Sequence, residues 1–225
     1  MIRAITIAHQ YGSGGTELAR LVANKLGWEL LDQCLVERVV RVADLDAPAA
    51  KRFDEQAARW SGILAGRGVV LREICPFVVP RWFEQLEYES MHALTTELIR
   101  AAADFGECVI AASGAQCLMK ARHDVFNVLA YAPIKERVAR AQEHYPECAD
   151  VQTFLRERDS QTANYILEHY GSDWLDTGLY HLCLNTSIGL HRVATLIGST
   201  VGLPEKTCAP IAEEELVPCH LLNQL

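Results

Sequence analysis

The order of apolar and polar residues changes period several times along this chain, and each change marks an element. Ile5-Thr6-Ile7-Ala8 is short and β-branched and is stopped by Gln10-Tyr11-Gly12-Ser13-Gly14-Gly15, which predicts a strand running into a glycine loop. Leu18, Leu21, Val22 and Leu26 then recur at helical spacing, and Gly27 stands just past them as a stop signal. A second short strand, Trp28-Glu29-Leu30-Leu31, ends at Asp32 and leads into helical periodicity over residues 33–42. Residues 44–82 are less regular. They hold an Ala- and Arg-rich helix over about 51–64, then Gly66-Arg67-Gly68, then the proline-flanked run Cys75-Pro76-Phe77-Val78-Val79-Pro80, and read as an insert rather than sheet.

A long helix over residues 81–105 leads to Gly106 and a buried-strand run, Cys108-Val109-Ile110-Ala111-Ala112. A further strand covers residues 125–131 and closes before Pro133; helices follow over 134–145 and 151–170, with Pro146 between them. The last strand spans residues 180–185 and the last helix 190–201. Five strands, each followed by helix, imply an α/β domain with one doubly wound sheet and inserts. From residue 203 onward Pro204, Pro210, Pro218 and Glu213-Glu214-Glu215 read as a tail, packed loosely or on a partner.

Composition narrows the function classes. The 225 residues make one generous domain or two small ones at ~100–200 residues each. Half are hydrophobic and 22% charged, with only 14 Gly and 8 Pro, which excludes a disordered or collagen-like chain. With 21 Lys and Arg against 29 Asp and Glu the formal charge is −8, which argues against sequence-independent clamping of polymeric nucleic acid or of an anionic membrane. A polyanionic ligand therefore has to meet a local basic cluster. The eight cysteines are scattered and include no C-x-x-C pair, so reduced thiols are expected, and the eight histidines show no metal-ligand spacing. No secretory leader pattern and no run of ~20 apolar residues is visible, so the expected location is the cytoplasm.

The sharpest local signal is the glycine loop. A strand that ends in glycines and opens a helix aims backbone N–H groups and a positive helix terminus at one point, which suits a phosphate chain. Gly12, Gly14 and Gly15 do not make G-x-G-x-x-G, which disfavours a dinucleotide fold. Against G-x-x-x-x-G-K-[ST] the loop aligns His9 with the first glycine, Gly14 with the second, Gly15 with the lysine and Thr16 with the hydroxyl, so two of the fixed positions match. A tight strand-to-helix turn without ligand is the alternative.

Residues 5–32, ITIAHQYGSGGTELARLVANKLGWELLD, resemble the opening of the cytidylate kinase-like branch of the P-loop nucleoside monophosphate kinases. Gly106 to Ile110, Asn127 to Pro133 with Arg137, and Asp159 through Trp174 to Thr186 resemble it in the same order, up to about Gly202. The resemblance implies a five-stranded parallel sheet with helices on both faces. It also implies one kinase-like domain over residues 1–202, with a monophosphate-binding insert near 33–100 and a lid near 142–175, followed by a tail at 203–225. The implied chemistry is phosphoryl transfer from ATP to CMP, dCMP or a related small acceptor, with Mg²⁺ arriving on ATP and held partly by Thr16. ATP and a nucleoside monophosphate are then the partners, and a homo-oligomer is compatible with the pattern.

Under that resemblance Gly12, Ser13, Gly14, Gly15 and Thr16 cradle the nucleotide phosphates, Asp32 and Arg38 face the monophosphate, and Arg137, Arg156 and Arg158 carry catalytic charge. Alternatives stay open at each. Asp32 also suits an N-cap, and Arg38 a solvated helix face. Arg137 and Arg140 share a face, whereas Arg156 and Arg158 are split by about 200° around a helix, so only one of the latter can reach the ligand. His9 suits packing at a strand end, and Tyr165, Trp174 and Tyr180 suit packing as well as stacking on a base. Four departures stand out: Thr16 where a basic residue follows the glycines, Ala112-Ser113 for Gly-Arg, Asp159-Ser160-Gln161-Thr162 for Asp-x-x-Arg, and Tyr180-His181 for Tyr-Asp. Loss of one arginine of the finger type costs on the order of 10³–10⁵ in phosphoryl-transfer rate. A fold retained for binding without turnover is therefore the alternative to a kinase.

Overall fold

The computed structural model describes residues 1–42, 55–68 and 88–202. Its centre is a sheet of β1 (Ala4–His9), β2 (Glu29–Asp32), β3 (Cys108–Ala111), β4 (Val125–Tyr131) and β5 (Leu182–Asn185), all parallel and ordered β2-β3-β1-β4-β5. Ala4, Ile5, Thr6 and Ile7 are all buried, as a central strand covered on both faces requires. Thr6, the polar residue among these four, donates its hydroxyl to Asn127 Oδ1 on β4 at 2.7 Å, so neither buried group is left unsatisfied.

One face of the sheet is covered by α2 (Gln33–Val42), α3 (Glu55–Gly66), α4 (Tyr88–Phe105) and the short α5 (Ala115–Met119), which bury Leu35, Trp60, Leu98 and Met119. On the other face α1 (Gly15–Leu26) packs along α8 (Leu190–Thr200) through Leu18, Val22, Val193 and Ile197. Between β4 and β5 come α6 (Ile134–His144) and the 20-residue α7 (Val151–Tyr170). Asp150 caps α7 by accepting from the Thr153 amide at 3.0 Å, and Gly171 ends it. Val151 and Leu155 hold its first half against α6, while Ile166 holds its second half beside Leu129 and Trp174.

The predicted elements agree with these at type and order. The last strand begins at Leu182 rather than Tyr180, because Tyr180 ends a 3-10 turn over Thr177–Leu179. The helix α5, five residues long, was below what periodicity can register. The run 75–80, the first residues of the predicted helices at 51 and 81, and the tail at 203–225 lie outside the described residues. The expectation of reduced thiols is corrected at Cys34, which is disulfide-bonded, whereas Cys108, Cys117, Cys148 and Cys183 are free. No described helix is long and apolar enough to cross a membrane.

Candidate functional site

Because the strands are parallel, their carboxyl ends share one edge of the sheet, where α/β proteins place ligands. The glycine loop leaves β1 there. The Ser13 amide donates to the Gln10 carbonyl at 3.0 Å and closes the turn. Gly12 has φ +77°, and a Cβ on it would stand 2.9 Å from the Arg137 carbonyl oxygen and 3.2 Å from Leu155 Cδ2, so both conformation and space demand glycine. Gly14 precedes α1 and offers no side chain to cap it, which leaves the first-turn N–H groups to an external acceptor. Thr16 is exposed in that first turn, within reach of whatever the loop holds.

Two arginines of α6 hold the loop by its carbonyls. Arg137 donates Nε to the Tyr11 carbonyl at 2.7 Å, and Nη2 to Asp159 Oδ2 of α7 at 2.5 Å. Asp159 uses its other oxygen to accept from the Tyr11 amide at 2.9 Å. The carboxylate thus bridges loop, α6 and α7, and Arg137 is only 5% exposed. Arg140 donates Nη1 to the Ser13 carbonyl at 2.7 Å and to Thr186 Oγ1 at 2.9 Å, tying the loop to the segment after β5. The Tyr11 and Tyr145 hydroxyls meet at 2.8 Å, and the Tyr11 ring packs edge-on against Phe154. His9 is half-buried against Gly15 of the loop, and its desolvation holds the imidazole below the ordinary histidine pKa; the Gln10 carbonyl and Asp159 oppose the shift.

The remaining predicted residues are spread along the same edge. Asp32, at the end of β2, accepts from the Leu35 amide at 2.8 Å and so caps α2. Arg38 donates to Gln56 Oε1 of α3 at 2.9 Å. Arg158 stacks over the Phe154 ring at 5.1 Å and donates to Gln161 Oε1 at 3.2 Å. Arg156 is exposed and lies near the α7 cap, where it adds to the depression of the Asp150 carboxyl that the Thr153 amide mainly causes. Arg137 and Arg140 thus meet at the loop, whereas Arg38 turns toward α3. An open cleft of about 470 Å³ lies between Ser113, just past β3, and Gln161, Thr162, Asn164, Tyr165 and Glu168 of α7. Trp174 is buried, and the Tyr180 hydroxyl donates to its carbonyl at 2.5 Å, which makes both packing residues.

A model of the cytidylate kinase-like family matches residues 4–188. The chain belongs to the cytidylate kinase-like family. No curated protein sequence matches it. Among solved structures, an uncharacterized protein from Eubacterium ventriosum is similar at TM-score 0.61 and 15% identity, over 90% of this chain and 99% of that one. A shikimate kinase from Acinetobacter baumannii, solved with shikimate, reaches TM-score 0.48 at 16% identity, over 89% of this chain and 93% of its own. One from Bacteroides thetaiotaomicron reaches 0.49 at 13%, over 90% and 100%. At such identities the likeness to the first structure speaks for the fold alone, a five-stranded parallel α/β sheet.

The bridging part of Asp159 was not legible in the sequence, where it stood only as the first residue of Asp159-Ser160-Gln161-Thr162. One signal pointed to it. Val151, Leu155, Asp159 and Ile166 fall on one helical stripe, so the carboxylate sits on the side of α7 that carries its buried residues.

Proposed function

We propose that the chain is an ATP-dependent phosphotransferase. On this reading the loop Gly12–Thr16 holds the nucleotide phosphates, and the γ-phosphoryl group passes to a small acceptor seated along the same edge; CMP and dCMP are the acceptors the family nominates first. The observation that carries it is the glycine loop, which opens α1 without a side-chain cap at the carboxyl end of the central strand. Mg²⁺ would come with ATP, and the exposed Thr16 hydroxyl is the group here suited to hold it; its chemistry is to neutralise charge across the phosphates. Arg140 and Arg158 are the nearby cations whose guanidinium groups keep part of their surface open. An ATP-using enzyme of this kind belongs in the cytoplasm.

One observation favours the alternative of binding without turnover. Asp159 occupies the Tyr11 amide and the Arg137 guanidinium, two groups that a phosphate would otherwise use. The test is ADP production from ATP and Mg²⁺ across nucleoside monophosphates and other small acceptors, with Thr16→Glu as control. A glutamate at this exposed first-turn position suits the helix dipole but repels phosphate. The expected result is loss of nucleotide binding with no loss of thermal stability; nucleotide binding unchanged by Thr16→Glu would place the phosphates elsewhere. Tight ATP binding with no acceptor turned over would select the alternative.

A further inference from the structure

We infer that Arg140 and Thr186 are positioning residues, which hold the peptide between Ser13 and Gly14 so that its N–H faces the nucleotide phosphates; this rests on the phosphotransferase reading above. The Ser13 carbonyl accepts from Arg140 Nη1 and from Thr186 Oγ1, each at 2.7 Å. Arg140 Nη1 also donates to Thr186 Oγ1 at 2.9 Å, so the hydroxyl accepts from the guanidinium while it donates to the carbonyl. The Tyr131 carbonyl stands farther from that hydroxyl, at 3.3 Å. Thr186 is fully buried, and its own carbonyl accepts from Arg140 Nη2 at 3.2 Å. Both Nη1 hydrogens and one on Nη2 are therefore spent on protein groups.

A planar trans peptide points its N–H opposite to its C=O, and this one is trans. Fixing the Ser13 carbonyl toward α6 and the segment after β5 thus aims the Gly14 N–H away from both. No described group accepts from that amide, which leaves it to a ligand. The same segment also packs on the loop here, since a Cβ on Gly14 would stand 3.1 Å from both Cδ atoms of Leu190, the first residue of α8. The peptide between Tyr11 and Gly12 is held separately, by Arg137 Nε on the Tyr11 carbonyl at 2.7 Å. Arg137 and Arg140, three residues apart on α6, therefore orient two alternate peptides of the loop, and the Gly12 N–H serves as an internal reference for the Gly14 N–H. The charge of Arg140 reaches the phosphates through a backbone amide, with Thr186 as an uncharged member of the same unit.

The experiment titrates ¹⁵N-labelled protein with Mg²⁺ and the non-hydrolysable analogue AMP-PNP, and follows the Gly12 and Gly14 amides by NMR. Both should move in the unsubstituted protein. Thr186→Val and Arg140→Met should each weaken AMP-PNP binding by on the order of tenfold, the equivalent of one charge-assisted hydrogen bond. At saturation each should shrink the Gly14 displacement and leave that of Gly12. Thr186→Ser keeps the hydroxyl and should retain both affinity and displacement. A Gly14 displacement unchanged by Thr186→Val and Arg140→Met overturns the inference alone, as does an equal loss in Thr186→Ser and Thr186→Val. Affinity lost in Arg140→Met but not in Thr186→Val would make Arg140 a direct phosphate ligand, and also overturns it. The unsubstituted protein gives a test free of folding effects: AMP-PNP that binds without moving the Gly14 amide overturns the inference alone. Failure of the unsubstituted protein to bind AMP-PNP overturns the phosphotransferase reading and this inference with it.

Discussion

His9 and Gly15 are one structural decision made at two positions. A Cβ on Gly15 would stand 2.1 Å from His9 Cγ and 2.2 Å from His9 Cβ, so no rotation of the imidazole relieves the clash, and only glycine at one of the two positions clears it. The sequence shows both residues as separate mismatches to G-x-x-x-x-G-K-[ST], the first glycine replaced by His9 and the lysine by Gly15. Their coupling was not legible there, since residues six apart touch only once the loop has closed. Gly15→Ala should therefore cost at least the upper part of the roughly 1–3 kcal/mol typical of overpacking. His9→Gly/Gly15→Ala should be more stable than the sum of its single changes predicts, by on the order of 1–3 kcal/mol in a double-mutant cycle read from urea unfolding. Simple additivity would show that the two residues are not coupled. The same reasoning says that Gly15→Lys alone fails to restore the P-loop cation, whereas His9→Gly/Gly15→Lys has room for it.

The helix α7 is where expectation and structure diverge most, though its span, residues 151–170, was legible. Proline, the Asp150 cap and helical periodicity delimit it from local information alone. Which face meets the loop depends on tertiary packing: Leu155 covers Gly12, and Asp159 one turn on reaches Tyr11 and Arg137. This puts the buried arginine on α6 and the exposed Arg156 and Arg158 on the flanks, so of the three arginines expected to carry catalytic charge Arg137 is the one that holds the loop by its Tyr11 carbonyl. Asp159→Ala leaves a nearly buried guanidinium without its carboxylate. Because Asp159 is itself 21% exposed, the expected cost lies toward the lower end of the roughly 3–5 kcal/mol for breaking a buried pair. Hydrogen exchange locates the effect: amides of residues 151–159 should lose protection, while those of 163–170, anchored by Ile166 beside Trp174, should keep theirs. Uniform loss along α7 would mean that its two halves do not open separately.

Among the described residues, two groups of arginines stand at opposite ends of the sheet. Those at the carboxyl edge, Arg137, Arg140 and Arg158, serve the loop and the cleft beside it. At the opposite edge Arg122 pairs with Asp104 and Asp124, Arg67 pairs with Asp104, and Arg3 donates to the Asp104 carbonyl at 2.7 Å. A net charge of −8 argued against broad polyanion binding but hid this partition, because composition carries no positions. Hydrogen bonds from Arg122 are the first cause of the depressed carboxyl pKa at both Asp104 and Asp124. Both carboxylates titrate below their unfolded value of 3.8, so the unfolded chain binds more protons near and below that pH. The stability they contribute is fully present above pH 3.8 and is lost as the pH falls through the lower folded values. With side chains 45% and 31% exposed, the contribution of each pair is screened to no more than about 1 kcal/mol. Arg122→Met should therefore lower the urea midpoint at pH 7, and the gap from the unsubstituted protein should shrink in 1 M salt and narrow as the pH falls below 3.8. A gap independent of pH would assign the Arg122 contribution to the packing of its stem rather than to its charge.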